Sequence, residues 1–190
     1  SRKYALGASL IALGDQASLP FGAWARPRLA EVVETTHETA NMAILDATQV
    51  TYIAQVPSMH SMRMFTEVGR RAAVHSTAVG KAILATLSDD AVVSLVNRAG
   101  LARRTEHTID TLDKLLAALQ HIRTCGYALD NEEQELGVRC VAVAVVGAPS
   151  PTAISVSGPT QRMTDNAIGR AVASLTAVSA QLTDEFSVSA

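Results

Sequence analysis

The stretch Val138-Arg-Cys-Val-Ala-Val-Ala-Val-Val146 constrains this chain more than any other. After Arg139 it is apolar throughout and runs for the length of a strand. A strand with one wet face alternates apolar and polar side chains. An unbroken run belongs to a strand covered on both faces. The fold must therefore place protein on each side of it.

The remaining segments supply that cover. Thr111 to Thr124 predicts the clearest amphipathic helix, with Leu112, Leu115, Leu116, Leu119 and Ile122 on one face. Gly126 ends it as a left-handed cap. A last helix is predicted from about Asp165 to Glu185, striped by Ile168, Val172, Leu175, Val178 and Leu182. Arg26-Pro27 opens an earlier one, since proline at the first helical position forfeits no hydrogen bond. Leu29, Val32 and Val33 form its stripe, and it should end near His37. Further helices are predicted from Ser76 or Thr77 to Leu87, and from Ala91 to Arg98 after the cap Ser88-Asp89-Asp90. Leu6, Leu10 and Leu13 are spaced as on a helix across Tyr4 to Gly14, which reads as the tail of a connector from something upstream.

Asn41 to Leu45 and Val50 to Val56 predict a hairpin around Asp46-Ala47-Thr48-Gln49, closed by Pro57. Ser58 to Val68 predicts a loop with a short strand near Met64, then a turn at Gly69-Arg70-Arg71. Tyr127 to Asp130 and Ala153 to Ser157 are further strand candidates. Hairpin strands with helices at both ends imply an α+β fold, an antiparallel sheet flanked by helices.

Composition narrows the function. The 190 residues suffice for one well-packed domain. No apolar run approaches the roughly 18 residues of a membrane span, and no signal peptide is visible at the start. A net charge of −2 does not grip nucleic acid, which needs a basic patch. Cys125 and Cys140 are too few for a disulfide framework and read as reduced thiols of a cytoplasmic protein.

The motifs of catalysis are mostly missing. Val74-His-Ser-Thr-Ala-Val-Gly-Lys-Ala82 looks superficially like a phosphate-binding loop. His75 occupies the first glycine position, and Ala82 replaces the magnesium-binding hydroxyl. Ser157-Gly158-Pro159 lacks the glycine before a nucleophile elbow. The histidines at 37, 60, 75, 107 and 121 are scattered. His121 and Cys125 sit one turn apart, but a helix-end histidine beside a buried thiol explains them better than a metal. Glu132, Glu133 and Glu135 read as a solvated loop, with no matched acid and base.

A binding site is the better reading. Ser76 to Gly80 places small residues at a helix start, whose leading N–H groups lack intrahelical partners and attract a carboxylate. Ser155 and Ser157 share one strand face, as do Val138 with Cys140 and Ala128 with Asp130. If these faces look at the helix start, they enclose a pocket for a small polar anion. No activated nucleophile or poised base accompanies it, so binding without turnover follows. Two alternatives stand beside this reading. One is a thiol enzyme using Cys140, although an apolar strand raises a thiol's pKa. The other is a pure dimerisation module.

Three segments carry a resemblance: Gly69 to Leu84 (GRRAAVHSTAVGKAIL), Ile122 to Val145 (IRTCGYALDNEEQELGVRCVAVAV) and Ala153 to Thr164 (AISVSGPTQRMT). In combination and order they resemble the effector-binding domain of the IclR family of bacterial transcription regulators. The resemblance implies a GAF-like fold over residues 21–190. It implies a linker helix over 1–20 from a winged helix-turn-helix that lies upstream of Ser1 and alone touches DNA. It implies homodimers or homotetramers, a small organic-acid effector, and no cofactor, metal or membrane. The ligand's carboxylate would sit against the backbone of Ala78 and Val79. Asp130, Val138, Cys140, Ser155 and Ser157 would complete the site, with Ser61 and Met64 from the Met-rich loop and Ala72 on the wall. The phrase AQVPSMHSMRMFTEVGRR (Ala54 to Arg71) looks most like repressors of allantoin and glyoxylate metabolism.

Overall fold

A computed structural model describes Gly7, residues 25–64 and residues 66–189. Residues 25–36 are helical (α1). They are followed by β1 (Thr39–Asp46), β2 (Gln49–Val56), β3 (Arg71–Ala73), α2 (Ala78–Ala85), α3 (Asp89–Ala99) and α4 (Leu112–Cys125). Next come β4 (Ala128–Asn131), β5 (Val138–Val145), β6 (Thr152–Pro159) and α5 (Asp165–Ser189). The six strands form one sheet in the order β3-β2-β1-β6-β5-β4. Every pairing in it is antiparallel. The fold class is α+β, with helices on both faces of the sheet.

Both faces of β5 are indeed covered. Val141, Val143 and Val145 join Ile154, Val156 and Met42 against Leu29 and Val32 of α1 and Leu175 and Leu182 of α5. Arg28 bridges those two helices with Nη2 2.6 Å from Glu185 Oε1. The opposite face presents Ala43, Ala128, Ala142 and Ala153 to Ala78 and Ala82 of α2, with α3 and α4 behind. Alanine on both sides of this contact lets α2 lie close to the sheet. The site forms at the N-terminal end of that contact.

Caps set the helix bounds. Thr111 Oγ1 accepts the Lys114 N–H at 3.4 Å, and Gly126 takes φ 83° at the end of α4. Ser88 caps α3, which starts at Asp89 rather than Ala91, so Asp89 and Asp90 both sit in the favourable first turn.

Two expectations fail. Among the described residues, no strand forms near Met64. The Met64 carbonyl accepts from Thr39 Oγ1 at 3.1 Å, and Thr39 Oγ1 also takes the Ser58 N–H at 3.1 Å. The loop is thus fastened to β1 by a side chain, not by a ladder. The strand lies instead at Arg71–Ala73, overlapping the expected turn and pairing with Gln49–Thr51. The helix expected over Tyr4 to Gly14 falls outside the described residues, Gly7 excepted.

Candidate ligand-binding site

A cavity of about 40 Å³ lies between the start of α2 and the sheet. That is room for about three water molecules or a compact organic anion. Met64, Ala72, Ala78, Val79, Asp130, Val138, Cys140, Ser155 and Ser157 all line it. Ser61 does not; it is exposed on the loop before Met64.

The helix start is built by Thr77. Its backbone is extended, and its Oγ1 accepts the Gly80 N–H at 3.2 Å while donating to the Ala73 carbonyl at 2.8 Å. The Lys81 N–H is the first to reach back into the helix, to Thr77 O at 3.0 Å. The N–H groups of Ala78 and Val79 come before it, at the positive end of the helix, and both residues are buried. Gly80 allows this packing. A Cβ there would lie 2.3 Å from the Val74 carbonyl oxygen.

The serines stand across from α2, and both are buried. Behind them lies Asn41, paired in register with Ser155 on one side and Gln55 on the other. Asn41 Nδ2 lies 3.3 Å from Ser157 Oγ and 3.5 Å from Ser155 Oγ. Gln55 Nε2 donates to Asn41 Oδ1 at 3.0 Å. A shift of register at Met42/Ala43 makes this possible. Through it Tyr52, which lines the cavity, and Gln55, three positions on, both reach the face of Asn41.

Asp130 is the acid of the site. Its Oδ1 accepts the N–H groups of Glu133 at 2.8 Å and Gln134 at 3.3 Å. Burial nevertheless pushes its carboxyl up to about 7, against the pull of those two N–H groups. Burial also pushes the Cys140 thiol well above the ordinary range, with the Asp130 charge adding to it. Cys140 lies opposite Ser157 and is a thiol, not a thiolate, at neutral pH. Tyr52 is held protonated by burial in the same way. No histidine lines the cavity. His75 is buried with Nε2 3.1 Å from the Ala102 carbonyl, and burial lowers its pKa.

The acidic run is not a solvated loop throughout. Glu133 is buried and forms an ion pair with Lys81. Gln134, held by Ser76 Oγ at 2.6 Å, and Glu135 both line the cavity. Thr66, Arg70 and Thr77 line it too. Sequence reasoning missed these residues together with Tyr52. Only Thr77 had a local signal, as a candidate cap. Cys125 Sγ sits 3.3 Å from the Tyr127 carbonyl. Among the described residues, no group of three or more His, Cys, Asp or Glu could hold a metal, and no helix is long and apolar enough to cross a membrane.

Comparison with known proteins places this geometry in a family. The family model described as "Bacterial transcriptional regulator IclR C-terminal" matches residues 17–184. The transcriptional regulator KdgR of Dickeya chrysanthemi is 34% identical over 97% of this chain, which spans 62% of that protein's length. The crystal structure of the C-terminal domain of Escherichia coli KdgR superposes with a TM-score of 0.77 at 33% identity, covering 85% of this chain and 95% of that one. The inducer-binding domain of the Acinetobacter transcription factor PobR, solved as a double mutant with 3-hydroxybenzoic acid, gives a TM-score of 0.77 at 25% identity, covering 85% and 96%. This chain therefore belongs to the IclR family of bacterial transcriptional regulators and matches its C-terminal domain.

Proposed function

We propose that this domain senses a small organic acid in the cavity and does not transform it. One observation carries the reading. The leading amides of α2 and the hydroxyls of Ser155 and Ser157 border the same small cavity. They are donors suited to a carboxylate. Asp130 and Cys140 meet the keto, aldehyde or hydroxyl end, and Met64, Ala72 and Val138 set the size. A cavity of about 40 Å³ favours an acid as compact as glyoxylate or pyruvate. The site offers no thiolate, histidine or activated hydroxyl, which supports binding without turnover.

In the whole protein, residues 1–20 link this domain to an upstream winged helix-turn-helix, and copies pair in the cytoplasm. The effector then acts by population shift. It binds one arrangement of the pair better than another, and so biases how the DNA-binding heads are spaced.

Calorimetry with glyoxylate and pyruvate tests the reading. Ser155→Ala combined with Ser157→Ala should abolish binding while the thermal unfolding transition stays cooperative. Unchanged affinity in the double variant rejects the assignment. Mass spectrometry of the same mixtures should show the acids intact, and any product overturns the sensor reading.

A further inference from the structure

We infer that Asn41, from behind the cavity, fixes the direction of both serine hydroxyls and so makes the site select carboxylates over neutral amides. The inference rests on the proposal that this cavity binds an organic acid.

Asn41 is fully buried and does not line the cavity. It occupies the middle of a three-strand row, with Gln55 directly opposite on β2 and Ser155 directly opposite on β6. Its amide nitrogen faces both serine oxygens, at 3.5 and 3.3 Å. A hydroxyl has one donor and two acceptor sites. When the Asn41 amide fills an acceptor site on each serine, each O–H is left to point elsewhere, and the cavity is the open side.

Gln55 holds this polarity in place. Its Nε2 donates to Asn41 Oδ1 at 3.0 Å. Turning Asn41 alone would set its NH₂ group against that of Gln55 and bring its single oxygen to the two serine hydroxyls. The serine protons would then turn back onto Asn41, and lone pairs would face the cavity. The amides of Ala78 and Val79 make the far wall a donor surface. With Asn41 as observed, both walls donate, which suits a carboxylate. With Asn41 reversed, one wall donates and one accepts, which suits a neutral amide.

The readout is therefore a ratio. Calorimetry compares pyruvate with pyruvamide, its neutral isostere, on the intact 190-residue chain. The unchanged chain should bind pyruvate far more tightly. Asn41→Leu, which keeps the branched four-atom shape and removes the donors, should lower the pyruvate-to-pyruvamide affinity ratio by about tenfold or more. Gln55→Met leaves Asn41 in place but free to turn, and should lower the ratio by about threefold to tenfold. Thermal unfolding checks each variant, and Gln55→Met decides alone where Asn41→Leu does not fold. Loss of affinity for both ligands in parallel, with the ratio unchanged, overturns the role of Asn41 and leaves the anion site standing. Failure of the unchanged chain to bind either ligand overturns both.

Discussion

Lys81 of α2 meets Glu133, in the turn after β4, almost out of reach of water: the two side chains are 4% and 10% exposed. The pair joins the helix that fronts the cavity to the loop that places Gln134 and Glu135 beside it. Hydroxyls of Thr105 and Thr108 steady the same loop, donating to the carbonyls of Glu132 at 2.7 Å and Glu133 at 2.6 Å. Glu133 Oε2 is buried without a partner, so Lys81 is what offsets the desolvation of this carboxylate. Burial still raises the Glu133 pKa despite Lys81.

Removing one partner of such a pair strands the other. Lys81→Met and Glu133→Leu should each destabilise the domain by about 3–5 kcal/mol. Lys81→Met combined with Glu133→Leu should recover much of that loss, because an apolar pair carries no desolvation penalty. Urea unfolding of the four proteins gives the coupling energy. Strictly additive losses would mean that the pair holds nothing together.

Gly80 should tolerate no side chain. The Cβ of Gly80→Ala would sit 2.3 Å from the Val74 carbonyl oxygen and 2.5 Å from its Cα, both backbone atoms that cannot swing away. Alanine's better helix propensity, worth about 1 kcal/mol, is outweighed by this overlap. A net loss of about 2–3 kcal/mol is expected, together with weaker effector binding as the start of α2 shifts. A gain in melting temperature would show that the loop at Val74 can move.

The pattern of the chain made some of this legible and hid the rest for physical reasons. The apolar run of β5 demanded cover on both faces and has it, because every second residue, Val141, Val143 and Val145, feeds the α1–α5 layer while Ala142 faces α2. The period of two put Ser155 with Ser157, and Val138 with Cys140, on single faces, and all of them reach the cavity. Tyr52 and Gln55 stayed hidden because an irregular register breaks that period. Asn41 read as one residue of a hairpin strand, since nothing local tells that its neighbours across β1 are Gln55 and Ser155. Glu133 looked like one member of a solvated run, because its cation lies 52 positions away.

Glu38 is nearly buried and lies against Gly158, where a Cβ would meet its Oε2 at 2.7 Å. Arg162 holds it with two nitrogens, Nη2 at 2.9 Å from Oε2 and Nε on Oε1, and donates from Nη2 to the Met62 carbonyl at 3.0 Å. Arg162→Ala leaves this carboxylate and that carbonyl unpartnered. It should cost about 2 kcal/mol and speed hydrogen exchange across residues 58–64. Arg162→Lys should recover only part, since a single ammonium cannot reproduce the two-pronged contact. Unaltered exchange in that loop would mean that Thr39 and Ser58 alone fasten it.

Asp130 makes the site sensitive to pH near neutrality. Its carboxyl, ordinarily at 3.8, is pushed up to about 7 by burial. Between those values the native state holds the proton more tightly than the unfolded chain, so stability falls as pH rises through that window and is level above it. Asp130→Asn keeps an oxygen for the N–H groups of Glu133 and Gln134 and never ionises. It should match the parent near pH 4 and exceed it by about 1–3 kcal/mol near pH 8. A bound carboxylate beside Asp130 favours the protonated acid, so binding should take up protons. Pyruvate affinity should then fall by up to about tenfold per pH unit above 7 and stay level in Asp130→Asn. Calorimetry in two buffers of different ionisation enthalpy measures the proton uptake directly. A parent affinity that is flat from pH 6 to 9 would remove Asp130 from the ligand's surroundings.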